Sequence, residues 1–140
     1  MSDNISDKEW LFIGKCFCNL RNDFTIHFYD KIKIVKKTRA FKYYDMFHHH
    51  FYKIAIILDD LILSYYPESV SYIDDISIFD IFFTINDNNN YIKTNIELRK
   101  DLDYFITILQ EKPLLFKKTK RYLNLIMKKL DKVINLGYID

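Results

Sequence analysis

The sequence predicts a mainly α fold, a single-domain helical bundle around a long central helix at about residues 39–66, and three observations carry that expectation. The stretch from Arg39 to Tyr66 contains neither Gly nor Pro. Its apolar residues Tyr44, Phe47, Phe51, Ile54, Leu58, Leu61 and Tyr65 recur at steps of three and four until Pro67 ends the run. Two capping-box patterns, Ser6 with Glu9 and Thr94 with Glu97, each precede an apolar series of helical period. The third observation is the C-terminal run that opens at Pro113, keeps helical spacing through Leu115, Tyr122, Ile126, Leu130 and Val133, and stops at Gly137.

Taken in chain order, residues 6–20 read as an amphipathic helix, because Trp10, Ile13, Phe17 and Leu20 follow the first capping box on one face. From Phe24 the pattern shifts to alternation: Phe24, Ile26 and Phe28 are interleaved with Thr25 and His27, and Ile32 and Ile34 with lysines. A small β-hairpin at residues 24–36, turning at Tyr29-Asp30, is favoured over the competing helical register Phe24, Phe28, Ile32, Val35. The long helix follows, with an apolar stripe wide enough for neighbours on more than one side. In residues 71–86, Tyr72, Ile76, Phe79 and Phe83 share a helical face, which favours a buried helix. An α+β alternative pairs this region with Tyr91 to Ile96 as a second hairpin at 76–96, across the loop of the Asn86-Asp87-Asn88-Asn89-Asn90 run. Leu98, Leu102, Phe105, Ile106 and Leu109 then mark a helix that pairs with the last one.

The 140 residues suffice for one domain that buries about two-thirds of its unfolded surface. Ile, Lys, Phe, Tyr and Asn account for 71 residues, whereas Ala, Gly and Pro account for six, a split that follows AT-rich coding and discounts raw counts of lysine and asparagine as functional signals. The most apolar stretch, Ile54 to Leu63, is broken by Asp59 and Asp60 and falls short of a bilayer span. The acidic first nine residues lack the pattern of an export signal, and Cys16 and Cys18 are too close to bridge comfortably, so a cytoplasmic, intracellular protein is expected.

Catalytic patterns are sparse. Successive side chains on a helix diverge by about 100°, so His48, His49 and His50 do not converge on one metal ion, and Asp45 with His49 supplies only two ligands. Only Gly14 and Gly137 occur, too few for a phosphate-cradling loop or a nucleophile elbow. Arg21 and His27 meet the arginine-to-histidine spacing of the α-helical HEPN ribonucleases. In that family the pair stands on a late helix; here it falls near the N-terminus, in a segment the alternation assigns to strand, and the likeness extends no further. No cofactor, metal or catalytic site is expected, and the chain reads as a non-enzyme.

Charge placement is more informative. Residues 1–50 carry nine basic and six acidic side chains, residues 51–90 one and seven, and residues 91–140 eleven and six. On the last helix Lys117, Arg121, Asn124, Lys128 and Lys132 stack into one stripe about 22 Å long, opposite the apolar face. Such a stripe suits an acidic protein surface or nucleic-acid phosphates, and it is also the ordinary solvated side of a lysine-rich helix. Only four arginines and an acidic middle weigh against nucleic acid. The leading expectation is an intracellular protein that binds and blocks another protein, a toxin or a host defence factor, with Lys117, Arg121, Lys128, Lys132, Asp74 and Asp75 as partner-binding residues. Tyr43, Tyr44, Tyr52, Tyr65, Tyr66 and Tyr72 exceed what one core face accepts and favour the same reading. The alternatives are a nucleic-acid-binding accessory protein using the basic stripe, and a carboxylate-dependent nuclease built on Asp74, Asp75 and Asp80.

Overall fold

The computed structural model describes residues 3–30, 39–84 and 91–136. Four helices pack together with one small two-stranded antiparallel hairpin, which bears out the mainly α reading. Helix α1 spans Asp7–Thr25, α2 Arg39–Tyr65, α3 Asn95–Gln110 and α4 Pro113–Leu136. The strands are β1, Tyr72–Ile73, and β2, Ile76–Ser77. No helix among the described residues is long and apolar enough to cross a membrane.

The helix ends follow the local chemistry. Ser6 Oγ accepts from Glu9 N at 3.2 Å while Glu9 Oε1 accepts from Ser6 N at 3.1 Å, and Thr94 and Glu97 repeat the exchange at 3.2 Å in both directions. Each pair satisfies amide donors that the first helical turn leaves open. The amides of Leu114 and Leu115 at the start of α4 are met differently: the Asp3 carboxylate accepts both at 3.0–3.1 Å, across more than a hundred residues of sequence. Its charge also complements the positive end of the helix dipole.

Two sequence expectations are corrected here. The favoured hairpin at 24–36 does not form where it is described: Phe24 and Thr25 end α1, and Ile26–Asp30 make a wide π-helical turn that extends it. Residues 31–36 lie outside the described residues. Helix wins because Phe24 and Phe28, four apart, both enter the core beside Phe47, with ring centroids 5.1 and 4.8 Å from it. The buried helix expected at 71–86 does not form over the described residues 71–84 either, and residues 85–86 lie outside them. Its first half is the β1–β2 hairpin, in register Tyr72↔Ser77 and Ile73↔Ile76, and residues 78–83 are a succession of tight turns. The hairpin therefore lies a few residues before the 76–96 alternative and pairs within 72–77.

Helix α1 packs on α2 and α3, and α4 packs on the same two, so the helices run in the spatial order α1, α2, α4, α3 around one core. The start of α1 meets the end of α2 through a 2.5 Å hydrogen bond from Tyr66 to Asp7, and it meets the α3–α4 corner through the Lys112–Glu9 ion pair. At the opposite end, Lys93 bridges Asp23 and Asp101, and Arg99 bonds Asp131 at 2.7 Å. Every neighbouring helix pair is consequently antiparallel. That arrangement requires the chain after α2 to return along the whole bundle before α3 begins. Of its described residues, 66–84 form a strap along α1.

Phe17 sits at the centre of the core, with Phe51, Phe82 and Phe105 rings 5.8–6.2 Å away. Each such fully buried ring contributes about 2–3 kcal/mol by removal of apolar surface from water.

Candidate interaction surface

The strap is held to α1 by a few specific contacts. Arg21 donates from Nη1 to the Phe82 carbonyl at 2.9 Å and from Nη2 to the Thr84 carbonyl at 3.0 Å, and the Cys18 thiol reaches the Ile81 carbonyl at 3.4 Å. Gly14 lets the strap come this close. A Cβ placed there would stand 2.4 Å from Ile81 Cγ2 and 2.8 Å from the Ile81 carbonyl oxygen. Asp74 and Asp75 form the two-residue turn between the strands, with φ of 47° and 65°, the left-handed pair that a twisted hairpin requires and that Asp tolerates better than most residues.

The strap divides its apolar residues between core and solvent. Ile73, Ile78, Ile81 and Phe82 are buried. Tyr72, Ile76, Phe79 and Phe83 are 66, 43, 58 and 36% exposed. The four residues whose spacing suggested a buried helical face are thus the four that face outward. Phe12 of α1 is also exposed. A cavity of about 320 Å³ opens between α1 and the strap, lined by Leu11, Gly14, Lys15, Cys18, Asn19, Ile76, Ile81 and Thr84. A second, of about 300 Å³, lies between α1, α2 and Phe83, with Arg21, His48 and Tyr52 in its wall. Residues 66–84 include Glu68, Asp74, Asp75 and Asp80 and no lysine or arginine.

The basic stripe is present as expected. Lys117, Arg121, Asn124, Lys128 and Lys132 are all exposed on α4, opposite buried Leu115, Leu123, Ile126, Leu130 and Val133. None of the four stripe cations forms an ion pair among the described residues, and Lys118 and Lys120 add to the exposed charge. The stripe does not adjoin Asp74 and Asp75, however. Helix α4 sits diagonally across the bundle from α1, which carries the strap, so the two sets of predicted partner-binding residues lie on different sides of the molecule.

The other candidates are placed as follows. Among the described residues no three of His, Cys, Asp and Glu gather as a metal-binding cluster, so Asp74, Asp75 and Asp80 are not brought together. His48 and His49 are exposed, and His50 is half-buried beside Tyr122 of α4, where burial first, then the charges of His49 and Lys129, push its pKa below the ordinary histidine value. Burial raises both thiols, Cys18 against the opposing charge of Arg21, which keeps them in the less nucleophilic protonated form. Arg21 and His27 stand on helical backbone and not on a strand, which corrects one of the two grounds for setting the ribonuclease likeness aside; the other, the pair's place on the first helix and not a late one, stands. Arg21 is engaged by the strap carbonyls, and His27 is fully buried with Nδ1 2.5 Å from the Lys93 carbonyl, an acceptor that requires the proton to sit on Nδ1. Of the tyrosines, Tyr43 is buried, Tyr44, Tyr65 and Tyr66 are half-buried, and Tyr52 and Tyr72 are exposed. Sequence reasoning missed Gly14, Ile76 and Phe79 as surface-forming residues. The one available signal was a glycine inside a strongly periodic helix, which costs about 1 kcal/mol relative to alanine and so asks for a reason.

Compared with protein-family models, curated proteins and solved structures, the chain shows no significant match.

Proposed function

We propose that this is a non-enzymatic intracellular protein that binds another protein and blocks it, of the kind that neutralises a toxin or a host defence factor, and that the strap is its contact surface. The observation that carries this reading is the outward set Tyr72, Ile76, Phe79 and Phe83, to which α1 adds the exposed Phe12. Large apolar side chains clustered on one short segment mark interaction sites more often than isolated ones do, and aromatic residues concentrate in interface cores. The acidic residues of the same segment supply a charged rim.

A second reading, nucleic-acid binding through α4, is favoured by the exposed stripe whose cations lack ion-pair partners among the described residues. Affinity capture from the native cell, with and without nuclease, separates the two when wild type, Ile76→Ser/Phe79→Ser and Lys117→Glu/Lys128→Glu are used as parallel baits. The strap reading expects one stoichiometric, nuclease-resistant protein that is lost only with the strap variant. Material that vanishes with nuclease and with the stripe variant would move the function to α4.

A further inference from the structure

We infer that α4 holds the phosphate backbone of double-stranded nucleic acid along its basic stripe, without reading sequence. The inference rests on the second reading above, nucleic-acid binding through α4, and adds the form of the ligand and the mode of contact. At about 100° per residue, Lys117, Arg121, Asn124, Lys128 and Lys132 fall within an arc of about 80°, and Lys118 and Lys120 flank that arc on either side. The six exposed cations make a band about 22 Å long on one rigid helix, the rise of roughly six or seven base pairs of a duplex. The acidic middle of the sequence weighs against nucleic acid only until it is placed. Four of the seven acids in residues 51–90, Glu68, Asp74, Asp75 and Asp80, are on the strap, diagonally across the bundle from α4. Asp131, the one carboxylate of α4, accepts from Arg99 at 2.7 Å, and Asp103 of the neighbouring α3 pairs with the same guanidinium.

What α4 lacks selects among the anionic partners. Among the described residues it presents no large exposed apolar side chain, whereas an acidic protein needs apolar or aromatic anchors at the centre of the contact. Single strands are held by stacking their bases on exposed rings, and the two rings of α4, Phe116 and Tyr122, are half-buried against the core. Helices that lie on anionic membranes sink an apolar face into the lipid, and that face of α4, with Leu115, Leu123, Ile126, Leu130 and Val133, is committed to the bundle. A duplex backbone asks only for cations free to reach its phosphates. Base edges are read by paired donors and acceptors held in fixed geometry. The band has one guanidinium, Arg121, and one amide, Asn124, against five lysines, which are flexible point charges. Arg121 itself lies over the Tyr122 ring, 5.8 Å from its centroid.

The test is a fluorescence anisotropy titration of the full chain against labelled duplexes of about 20 base pairs, in two unrelated sequences each of DNA and RNA, with a single strand of equal length and phosphatidylserine vesicles alongside. Duplexes of unrelated sequence are expected to bind within about three-fold of each other, and the single strand at least about ten-fold more weakly. Contacts to four to six phosphates give log K against log salt a slope of about −4 to −5. Lys117→Glu/Lys128→Glu is expected to weaken duplex binding at least about ten-fold near 0.1 M salt and to make that slope shallower by about two. Lys8→Glu/Lys15→Glu, at exposed positions of α1, changes the net charge equally and is expected to hold affinity within about three-fold. Both pairs replace exposed residues and are checked for the wild-type melting transition. Stripe-dependent binding of the DNA duplexes, the RNA duplexes or both supports the inference, and the tighter form names the source. A single strand bound as tightly as the duplexes, or a preference of about a hundred-fold for one sequence, with the stripe variant still impaired, would overturn it and leave nucleic-acid binding through α4 in place. Equal losses with the stripe and α1 pairs, or no nucleic acid bound, with or without binding to vesicles, would overturn both.

Discussion

At Gly14 and His50 single side chains set how closely two elements approach. Alanine is the better helix former, yet at position 14 its Cβ collides with the Ile81 side chain and carbonyl. Gly14→Ala is expected to lower stability by about 1–3 kcal/mol in denaturant unfolding, and hydrogen exchange should quicken at the strap amides before those of the helices. His50 makes the opposite kind of constraint, between α2 and α4. Its folded pKa lies below its unfolded value, because burial and the nearby His49 and Lys129 disfavour the proton. Above about pH 6.5 neither state binds that proton and the group has no effect; as pH falls through that value the unfolded chain takes it up first, and stability drops until the folded pKa is passed. His50→Gln should flatten the melting temperature between about pH 7 and 5, whereas a profile identical to wild type would place the acid sensitivity elsewhere. The local sequence around position 50 discloses the histidine but not its burial, since Tyr122 and Lys129 come from a helix seventy residues away.

Helices were legible wherever a cap and a period were both written locally. Ser6 with Glu9 and Thr94 with Glu97 placed the starts of α1 and α3, and the uninterrupted run to Pro67 placed α2, because those signals act within one turn; the end of α1, expected at residue 20, lies at Thr25. The strap was misread for an equally physical cause. Tyr72, Ile76, Phe79 and Phe83 satisfy a helical period by chance of spacing, and period alone does not say whether a face turns inward. What decides is the turn at Asp74-Asp75, two residues in left-handed backbone, which a sequence without Gly or Asn there does not announce. The cap of α4 was illegible for the simplest reason of all: its acceptor is Asp3. Asp3→Ala is expected to destabilise the fold by about 1 kcal/mol and to raise exchange in the first turn of α4, while Asp3→Asn should recover part of the loss. Equal exchange in that turn for wild type and Asp3→Ala would show that the cap contributes nothing.

On the whole molecule, the carboxylates of the strap and the basic stripe of α4 lie on separate sides of the bundle, a property visible in sequence as a count and only in space as a separation. That geometry decides between partners, since one flat surface cannot meet both sides at once. The start of α3 is tied to the end of α1 by Lys93, which lies 2.9 Å from the buried carboxylate of Asp23 and 2.5 Å from Asp101. Burial alone would lower the Lys93 pKa; the hydrogen bonds to the two carboxylates outweigh it and raise the ammonium above its usual range. Lys93→Met should cost about 3 kcal/mol, because it takes a cation away from the buried carboxylate of Asp23, and Asp23→Asn in the same background should restore part of that loss in a thermal melt. No restoration would mean that Asp23 is satisfied by its other contacts.

The same bridge has a meaning in time. Asp23 leaves the ribosome 70 residues ahead of Lys93, and at roughly 5–20 residues per second its counterion follows about 4 to 14 s later. During those seconds α1 exists without the strap, and Trp10 and Phe17 lack the Phe82 ring that covers them in the finished fold. A newborn chain of this protein is therefore stickiest along α1, and the half-made bundle is the form that a holdase chaperone would be expected to grip.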